Sequence, residues 1–397
     1  MHRASHLLAV LAVLAHTAAG GPLGRYADHT RDWEPVGSDL LSGFDNMYNL
    51  HVIEECDADY PFRGWFFGWA VEDCNPGYPG CDAIYTARAK SLAGPWEVYG
   101  GEQDGAAVWD ASGDPRQWVP VITGGNVYYN NWHNGDPSVV KHEGGYYMAY
   151  SATGHNLDGI PFGSPGDTDS DISCVMGATS DDGLHWTTTP APLLVHPENI
   201  GGAPAAPGEY AHPRGLYHRP SLMRDEGKWK LWFDAIILGK PACMLYAENA
   251  GDFADPAEWK IIRGLENPCI WEFPNPDVVK VQDLYFAFGD PGGHFEEGWA
   301  NRKVTWAVSR NGVDWRLLGY MEPDGDVQAN HVPEALIREE AGTPWLYVFY
   351  AGQRFEDYRY RCIRAKRLAL TEEKRAEFRA ACDDIGVTAA PFVRRQR

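Results

Sequence analysis

The sequence predicts an all-β fold: a five-bladed β-propeller of four-stranded antiparallel blades. Two alternating segment types and their spacing carry this prediction. The first type joins a proline and a short β-forming run to a polar turn and an aromatic strand. It reads Asp136-Pro137-Ser138-Val139-Val140-Lys141 before Gly145-Tyr146-Tyr147-Met148-Ala149-Tyr150, and Arg219-Pro220-Ser221-Leu222-Met223-Arg224 before Trp229-Lys230-Leu231-Trp232-Phe233. It returns as Asn275-Pro276-Asp277-Val278-Val279-Lys280 before Leu284-Tyr285-Phe286-Ala287-Phe288, and as Val332-Pro333-Glu334-Ala335-Leu336-Ile337 before Trp345-Leu346-Tyr347-Val348-Phe349. A looser copy, Asn49-Leu50-His51-Val52-Ile53-Glu54 before Gly64-Trp65-Phe66-Phe67, comes first. The second type is fullest in Gly177-Ala178-Thr179-Ser180-Asp181-Asp182-Gly183-Leu184-His185-Trp186 and is matched by Ala307-Val308-Ser309-Arg310-Asn311-Gly312-Val313-Asp314-Trp315. Its Asp-Gly and Asn-Gly steps are hairpin-turn chemistry, tolerant of positive φ. The repeat prolines at 137, 220, 276 and 333 stand 83, 56 and 57 residues apart. Fifty-odd residues per four-stranded unit, five times over, is propeller arithmetic. A two-sheet sandwich would supply strands but not this repeat.

Taken in order, residues 1–19 read as an export signal. His2 and Arg3 precede the apolar run 7–15, and the small residues Thr17, Ala18 and Ala19 follow. The run is too short for a membrane span. Residues 20–43 form an N-terminal segment, 44–370 the propeller, and 371–397 a polar, helical C-terminal segment and tail. The second unit is longer than the others, mainly at 152–171 and 190–218. The expected location is secreted or periplasmic.

Composition bounds the partners. The chain has 397 residues, with 34 Lys+Arg against 55 Asp+Glu and a formal net charge of -21. That sign repels phosphate backbones and anionic lipid surfaces, so nucleic acid is excluded as a partner. Trp at 16 and Tyr at 20 suit stacking on sugars and β-packing equally. Eight cysteines fit an oxidising compartment. Cys74 and Cys81 bracket a Pro/Gly loop and make the best local disulfide, with Cys56 a competitor for either. Cys174, Cys243, Cys269 and Cys362 fit buried free thiols as well as bridges. There is no C-x-x-C, H-E-x-x-H, G-x-S-x-G or phosphate-binding G-x-x-x-x-G-K, which argues against zinc hydrolases, serine esterases and nucleotide enzymes.

Propeller topology places the starts of the innermost strands and the loops after the aromatic strands around one mouth of the channel. The polar residues that gather there are Glu72-Asp73, the segment 155–171, Asp234, the segment 290–297 and Glu356-Asp357, with Asn49, His51, His218, Arg219, Asn275 and His331 at the strand starts. Asp136, Asp277 and Glu334 are the carboxylates on inner strands or their first residues. Asp277 and Glu334 occupy the place held by Ser138 and Ser221 in sister blades. An acid there is costly without a purpose.

The Asn134-Gly135-Asp136-Pro137-Ser138-Val139-Val140 run, the aromatic strand after it and the Ala178-to-Trp186 segment resemble the five-bladed glycoside hydrolases. That group comprises family 43 arabinanases and xylosidases, the invertase-like family 32 and the neoagarobiose hydrolases. The resemblance covers roughly 44–370. It implies cleavage of glycosidic bonds in plant or algal oligo- or polysaccharides by a carboxylate acid/base pair, with inversion. It also implies Asp136 as base or nucleophile, Asp277 as the residue that tunes pKa, and Glu334 as acid. Substrate contacts would fall to Asn49, His51, His218, Arg219, Asp234, Asn275 and His331. The chemistry makes sense without the family, because carboxyls clustered in a partly desolvated funnel have separated pKa values. Two departures stand out: family 43 has its base in the first blade, where this chain has Asn49, and its acid often precedes a blade proline. Either the roles are rotated around the ring, with Glu334 as acid, or His218 or His331 is recruited in its place. No cofactor is required and no catalytic metal is expected. The run Asp167-Thr168-Asp169-Ser170-Asp171 has the alternate-position spacing of a structural Ca2+ loop, but lacks its Gly and final Glu. A sugar-binding propeller without catalysis and a related glycoside phosphorylase are the alternative functions.

Overall fold

The computed structural model describes residues 29–55, 57, 59–69, 78–80, 82–125, 129–154, 172–197, 215–237, 240–291, 302–354 and 359–384. The expected export signal 1–19, Cys56, Cys74, Cys81, Glu72-Asp73, the insertion 155–171 with its Ca2+-like run, the segment 292–301 and Glu356-Asp357 lie outside these residues.

Each sequence repeat folds into one small antiparallel sheet, and the five sheets form a ring. Blade one holds Asn46–Glu54, Phe62–Trp69, Ala83–Ala89 and Trp96–Gln103, with a further strand, Ala106–Asp110, on its outer edge. Blade two holds His133–His142, Gly145–Gly154 and Ile172–Ser180, edged by Thr187–Thr188 and Leu194–Val195. Blade three holds Gly215–Asp225, Lys228–Ile237 and Cys243–Asn249, edged by Lys260–Arg263 and Ile270–Trp271. Blade four has four strands, Asp277–Val281, Leu284–Gly289, Thr305–Ser309 and Arg316–Tyr320. Blade five begins with Val327–Glu340, Thr343–Arg354 and Tyr360–Ala369.

Its outer strands come from the other end of the chain. Glu34–Pro35 and Leu41–Ser42 both pair antiparallel with Tyr360–Ala369. The segment 20–43 of the sequence reading thus contributes the strands that complete the last blade. The four-strand expectation describes blade four; blades two, three and five carry five strands because two short edge strands share the third, and blade one because Ala106–Asp110 pairs with its fourth.

Both faces of each blade are covered by its neighbours, which is why the middle strands read as unbroken apolar runs. Leu284–Gly289 is buried at every residue. A separate core fills each junction: Trp65 and Met148 between blades one and two, Tyr217 and Leu231 between two and three, Trp232 and Tyr285 between three and four, Phe288 and Val348 between four and five, and Phe349 and Phe66 between five and one. The hairpin turns also tie blades together. Gly183 and Gly312 sit at φ +71° and +74°, and their carbonyls accept the indole N–H of Trp65 (3.2 Å) and Trp232 (2.7 Å) in the preceding blade. A Cβ at either glycine would meet that indole at 3.0 or 2.9 Å, so both conformation and contact require glycine.

The helix Glu372–Asp383 is capped by Thr371, whose hydroxyl accepts from Lys374 N–H, and buries Phe378 and Ala381 against blades four and five. Cys174, Cys243, Cys269, Cys362 and Cys382 are free thiols. Among the described residues no helix is long and apolar enough to cross a membrane.

Candidate active site

The inner strands are built to one plan. Each carries, or in blade four closely follows, one non-glycine residue at positive φ: Asn49 (56°), Asp136 (49°), Arg219 (51°), Asn275 (55°) and Val332 (46°). In blades one, two, three and five the pairing register slips around that residue, as an extra residue is accommodated against the second strand. Asn and Asp tolerate this conformation; Arg219 and β-branched Val332 adopt it at a cost of about 1–3 kcal/mol each. The preceding blade restrains three of these positions. Arg219 N–H donates to Ser151 Oγ (2.7 Å), Asn275 N–H to Asp234 Oδ2 (3.0 Å) and Val332 N–H to Asp290 Oδ2 (3.1 Å).

Two residues further along each inner strand, His51, Ser138, Ser221, Asp277 and Glu334 form a linked ring. Ser138 Oγ accepts from Leu222 N–H (2.9 Å), Ser221 Oγ from Val278 N–H (2.8 Å) and Asp277 Oδ2 from Ala335 N–H (2.7 Å). Ser221 also donates its hydroxyl to Asp277 Oδ1 (2.6 Å). Glu334 Oε2 lies 2.8 Å from His51 Nδ1, and His51 Nε2 lies 2.9 Å from the Val139 carbonyl, which closes the ring. Beyond it, toward the far face, a channel cavity of about 460 Å³ runs between inner-strand residues of all five blades, with His51 in its lining.

The partners and the neutrality of the buried His51 ring together assign the protons. A carbonyl only accepts, so His51 Nε2 carries hydrogen and Nδ1 of the neutral ring must accept; Glu334 is then the protonated donor. The electrostatics agree. Burial, then the negative charges of Asp277 and Asp136, push the Glu334 carboxyl well above the ordinary carboxylate range. Burial lowers the His51 pKa against the pull of Asp277 and the Val139 carbonyl. Asp277 is raised by burial, opposed by His51, Ser221 and two backbone N–H groups. Asp136 shifts the other way. Burial alone would raise it, but Arg219, His133, His218 and the Ser151 hydroxyl outweigh burial and hold the carboxyl below its usual value. The structure therefore contains one carboxyl held ionised and another held neutral, close enough for the charge of Asp136 to act on Glu334.

The sequence candidates fall into two groups. His51, Asp277 and Glu334 converge, each offering a ligand atom within 4.8 Å of the others. They are the described residues that could hold a metal ion, although their nitrogen and oxygen atoms already bond one another, Ser221 and the backbone. Asp136 faces Arg219, with Arg219 Nε 3.7 Å from Asp136 Oδ2. Among the described residues Arg219 Nε and Nη1 are buried and have no hydrogen-bond partner, which leaves two donors beside the Asp136 carboxylate. Asn49 Nδ2 donates to the Pro137 carbonyl (2.9 Å). His218 is hydrogen-bonded to Asp234, and Asn275 Nδ2 donates to Asp290. His331 is fully buried beside Asp290 and Arg302, edge-on to Tyr48 and tilted against Tyr360. Burial, then the Arg302 charge, bring its pKa down to about 3 despite Asp290, so it is neutral at ordinary pH.

Access decreases with depth. The side chains of His133, His218 and Arg219 are 24%, 17% and 16% exposed, against 4% for Asp136 and 3% for Glu334. His133 is a site residue that sequence reasoning missed. Burial opposes its charge, but Asp82, bonded at 2.5 Å, and Asp136 raise its pKa. A signal existed: His218 and His331 also stand just ahead of a blade proline. Arg302 had none, because it reaches His331 only through the fold.

Fold and site together define a five-bladed propeller with an oppositely tuned carboxyl pair where its inner strands begin. No protein-family model matches the sequence, and no curated protein matches it. Solved structures share the fold. A thermostable family-43 glycoside hydrolase aligns over 86% of this chain and 94% of its own, at 13% identity and a TM-score of 0.53. A family 117 glycoside hydrolase from the marine bacterium Zobellia galactanivorans aligns over 84% and 89%, at 13% identity and 0.53. An α-L-arabinofuranosidase from Lactobacillus brevis aligns over 84% and 93%, at 11% identity and 0.50. At such identities the likeness is one of fold.

Proposed function

We propose that this protein is an exported glycoside hydrolase, with Glu334 as general acid and Asp136 as general base. The observation that carries the reading is the opposite tuning of these two carboxyls in one buried site. Glycosidic cleavage needs one carboxyl that still holds its proton at working pH and one that has lost it. Glu334 protonates the departing glycosidic oxygen while Asp136 takes a proton from the attacking water. Asp277 keeps Glu334 protonated through its negative charge, and the unused donors of Arg219 bind sugar hydroxyls beside Asp136. The fold shared with family 43 and family 117 glycoside hydrolases supports the reaction class. The stereochemical course is inversion, on the family resemblance, and the substrate a plant or algal oligosaccharide. The leader-like 1–19 supports export.

The test is a panel of aryl glycosides and plant and algal oligosaccharides, with the anomer first released followed by NMR. Turnover by the wild-type chain that disappears in Asp136→Asn supports the reading; no turnover across the panel, or full activity in Asp136→Asn, ends it. The cations around Asp136 favour one second reading, a glycoside phosphorylase in which phosphate replaces water. Arg219 and His133 would then hold the phosphate, and turnover would depend on added inorganic phosphate. Sequencing the N-terminus of protein recovered outside the cytoplasm tests export.

A further inference from the structure

A second cavity lies away from the carboxyl site, at the opposite ends of the strands. Inner strands run from the mouth toward the far face, where first strands give way to second after Glu54 in blade one and at 142–145 in blade two. Between those two places is a cavity of about 300 Å³. One wall is Trp109, on Ala106–Asp110, the strand that extends blade one beyond its fourth. Tyr60 and Tyr146 are further walls; Arg63, Arg88 and Lys141 converge on the space, and Glu55 and Asp57 line it as well.

The cations are not equivalent. Arg88 lies 3.7 Å from the Tyr60 ring centroid and 4.5 Å from that of Trp109, and donates Nε and Nη2 to Glu97 at 2.9 and 2.8 Å. Lys141 is paired with Glu55. Arg63 has no carboxylate within ion-pair distance among the described residues. Its Nη1 donates to the Asp182 carbonyl (2.6 Å) and its Nε reaches Thr86 Oγ1 at 3.5 Å. Its Nη2 is buried and has no hydrogen-bond partner among the described residues. The Glu55 and Asp182 charges and the Tyr146 hydroxyl offset part of its burial, and the Trp65, Trp109 and Tyr146 rings lie 5.2, 5.9 and 5.7 Å from it, but a buried Nη2 donor without its own acceptor is costly unless a ligand supplies one. The guanidinium fork suits a carboxylate or a sulfate, and an aromatic wall suits the C–H face of a sugar ring.

We propose that this cavity is a second, non-catalytic site for an acidic saccharide, a chain of sugars carrying carboxylate or sulfate ester groups. One oxyanion takes the open Nη2 of Arg63, and the sugar ring that bears it lies along Trp109. A chain of net charge -21 repels such a ligand at long range, so binding depends on these local cations and weakens as salt is added.

The test is titration calorimetry with three probes: an oligogalacturonate, a sulfated galactan oligosaccharide and a neutral xylo-oligosaccharide. Arg63→Met removes the open donor. Trp109→Ala is the companion variant, since Arg63 also holds the 182–185 turn. The expected result is binding of one or both acidic probes, about tenfold or more weaker in each variant. The thermal midpoint of Trp109→Ala, and turnover of small aryl glycosides in both variants, should stay unchanged. The oligogalacturonate and sulfated arms separate the two oxyanion sources. Asp136→Asn should bind the acidic probes like the wild type, so failure of the hydrolase reading leaves this one standing. Absence of acidic binding, binding unchanged in both variants, equal binding of the neutral probe, or a response to sodium sulfate alone overturns it.

Discussion

Blades two and three differ from blades four, five and one at one position of the same ring. In the first pair the position is Ser138 and Ser221, whose hydroxyls accept an amide from the next blade. In the other three it is Asp277, Glu334 and His51. The geometry of the clasp persists: Asp277 Oδ2 takes the Ala335 amide as the serines take theirs. A serine therefore suffices to join blades. Replacing it with a buried acid adds a desolvation cost that joining does not require. The comparison teaches that the ring is a structural device on one side and a proton-holding device on the other, assembled at one repeat position.

The comparison can be broken first at Asp136, which acts on the acidic side from outside the ring. Asp136→Asn should lower turnover by about 10²–10⁴-fold, the range for a general base, with an unchanged circular-dichroism spectrum. Glu334→Gln should cost about as much on natural oligosaccharides but far less on aryl glycosides with good leaving groups, which need little acid assistance. Comparing kcat/KM across leaving groups checks it.

Asp277→Ser places the sister blades' residue into blade four. Removing its charge lowers the Glu334 pKa, so the alkaline limb of the kcat/KM profile should move to lower pH while the fold is retained. A profile that does not move would make Asp277 a clasp and nothing more. Stability should follow the same logic. Because the folded-state pKa of Glu334 is raised, its contribution is fully present below the ordinary carboxyl pKa and is lost as pH rises toward the raised value. The thermal midpoint of Glu334→Gln should therefore gain on that of the wild type as pH climbs through this window. The smallest effect belongs to Ser138→Ala. It leaves the Leu222 amide without its acceptor and should cost about 1–3 kcal/mol in denaturant unfolding. Turnover and pH profile should stay as they were.

The repeat was legible because every blade must bury two faces around one channel, and that demand returns the same pattern of proline, turn and aromatic strand. The same repeat placed Asp136, Asp277 and Glu334 at inner-strand positions, since a residue's place within its blade is local information. Asp82 and Arg302 were not legible as site residues. Each is an ordinary charged residue until another blade supplies His133 or His331.

What the sequence determined by itself was the number of blades and which side chains point toward their shared axis, because both follow from periodicity. Only the tertiary structure decided which carboxyl keeps its proton. That depends on burial and on charges brought from far along the chain: His51 meets Glu334 across 283 residues, and Arg219 reaches Asp136 from the next blade. It also decided how the ring closes, since Glu34–Pro35 and Leu41–Ser42 become strands only when Tyr360–Ala369 presents an open edge to pair with them. A pKa and an edge pairing are both set by neighbours in space, and the order of residues along the chain does not name those neighbours.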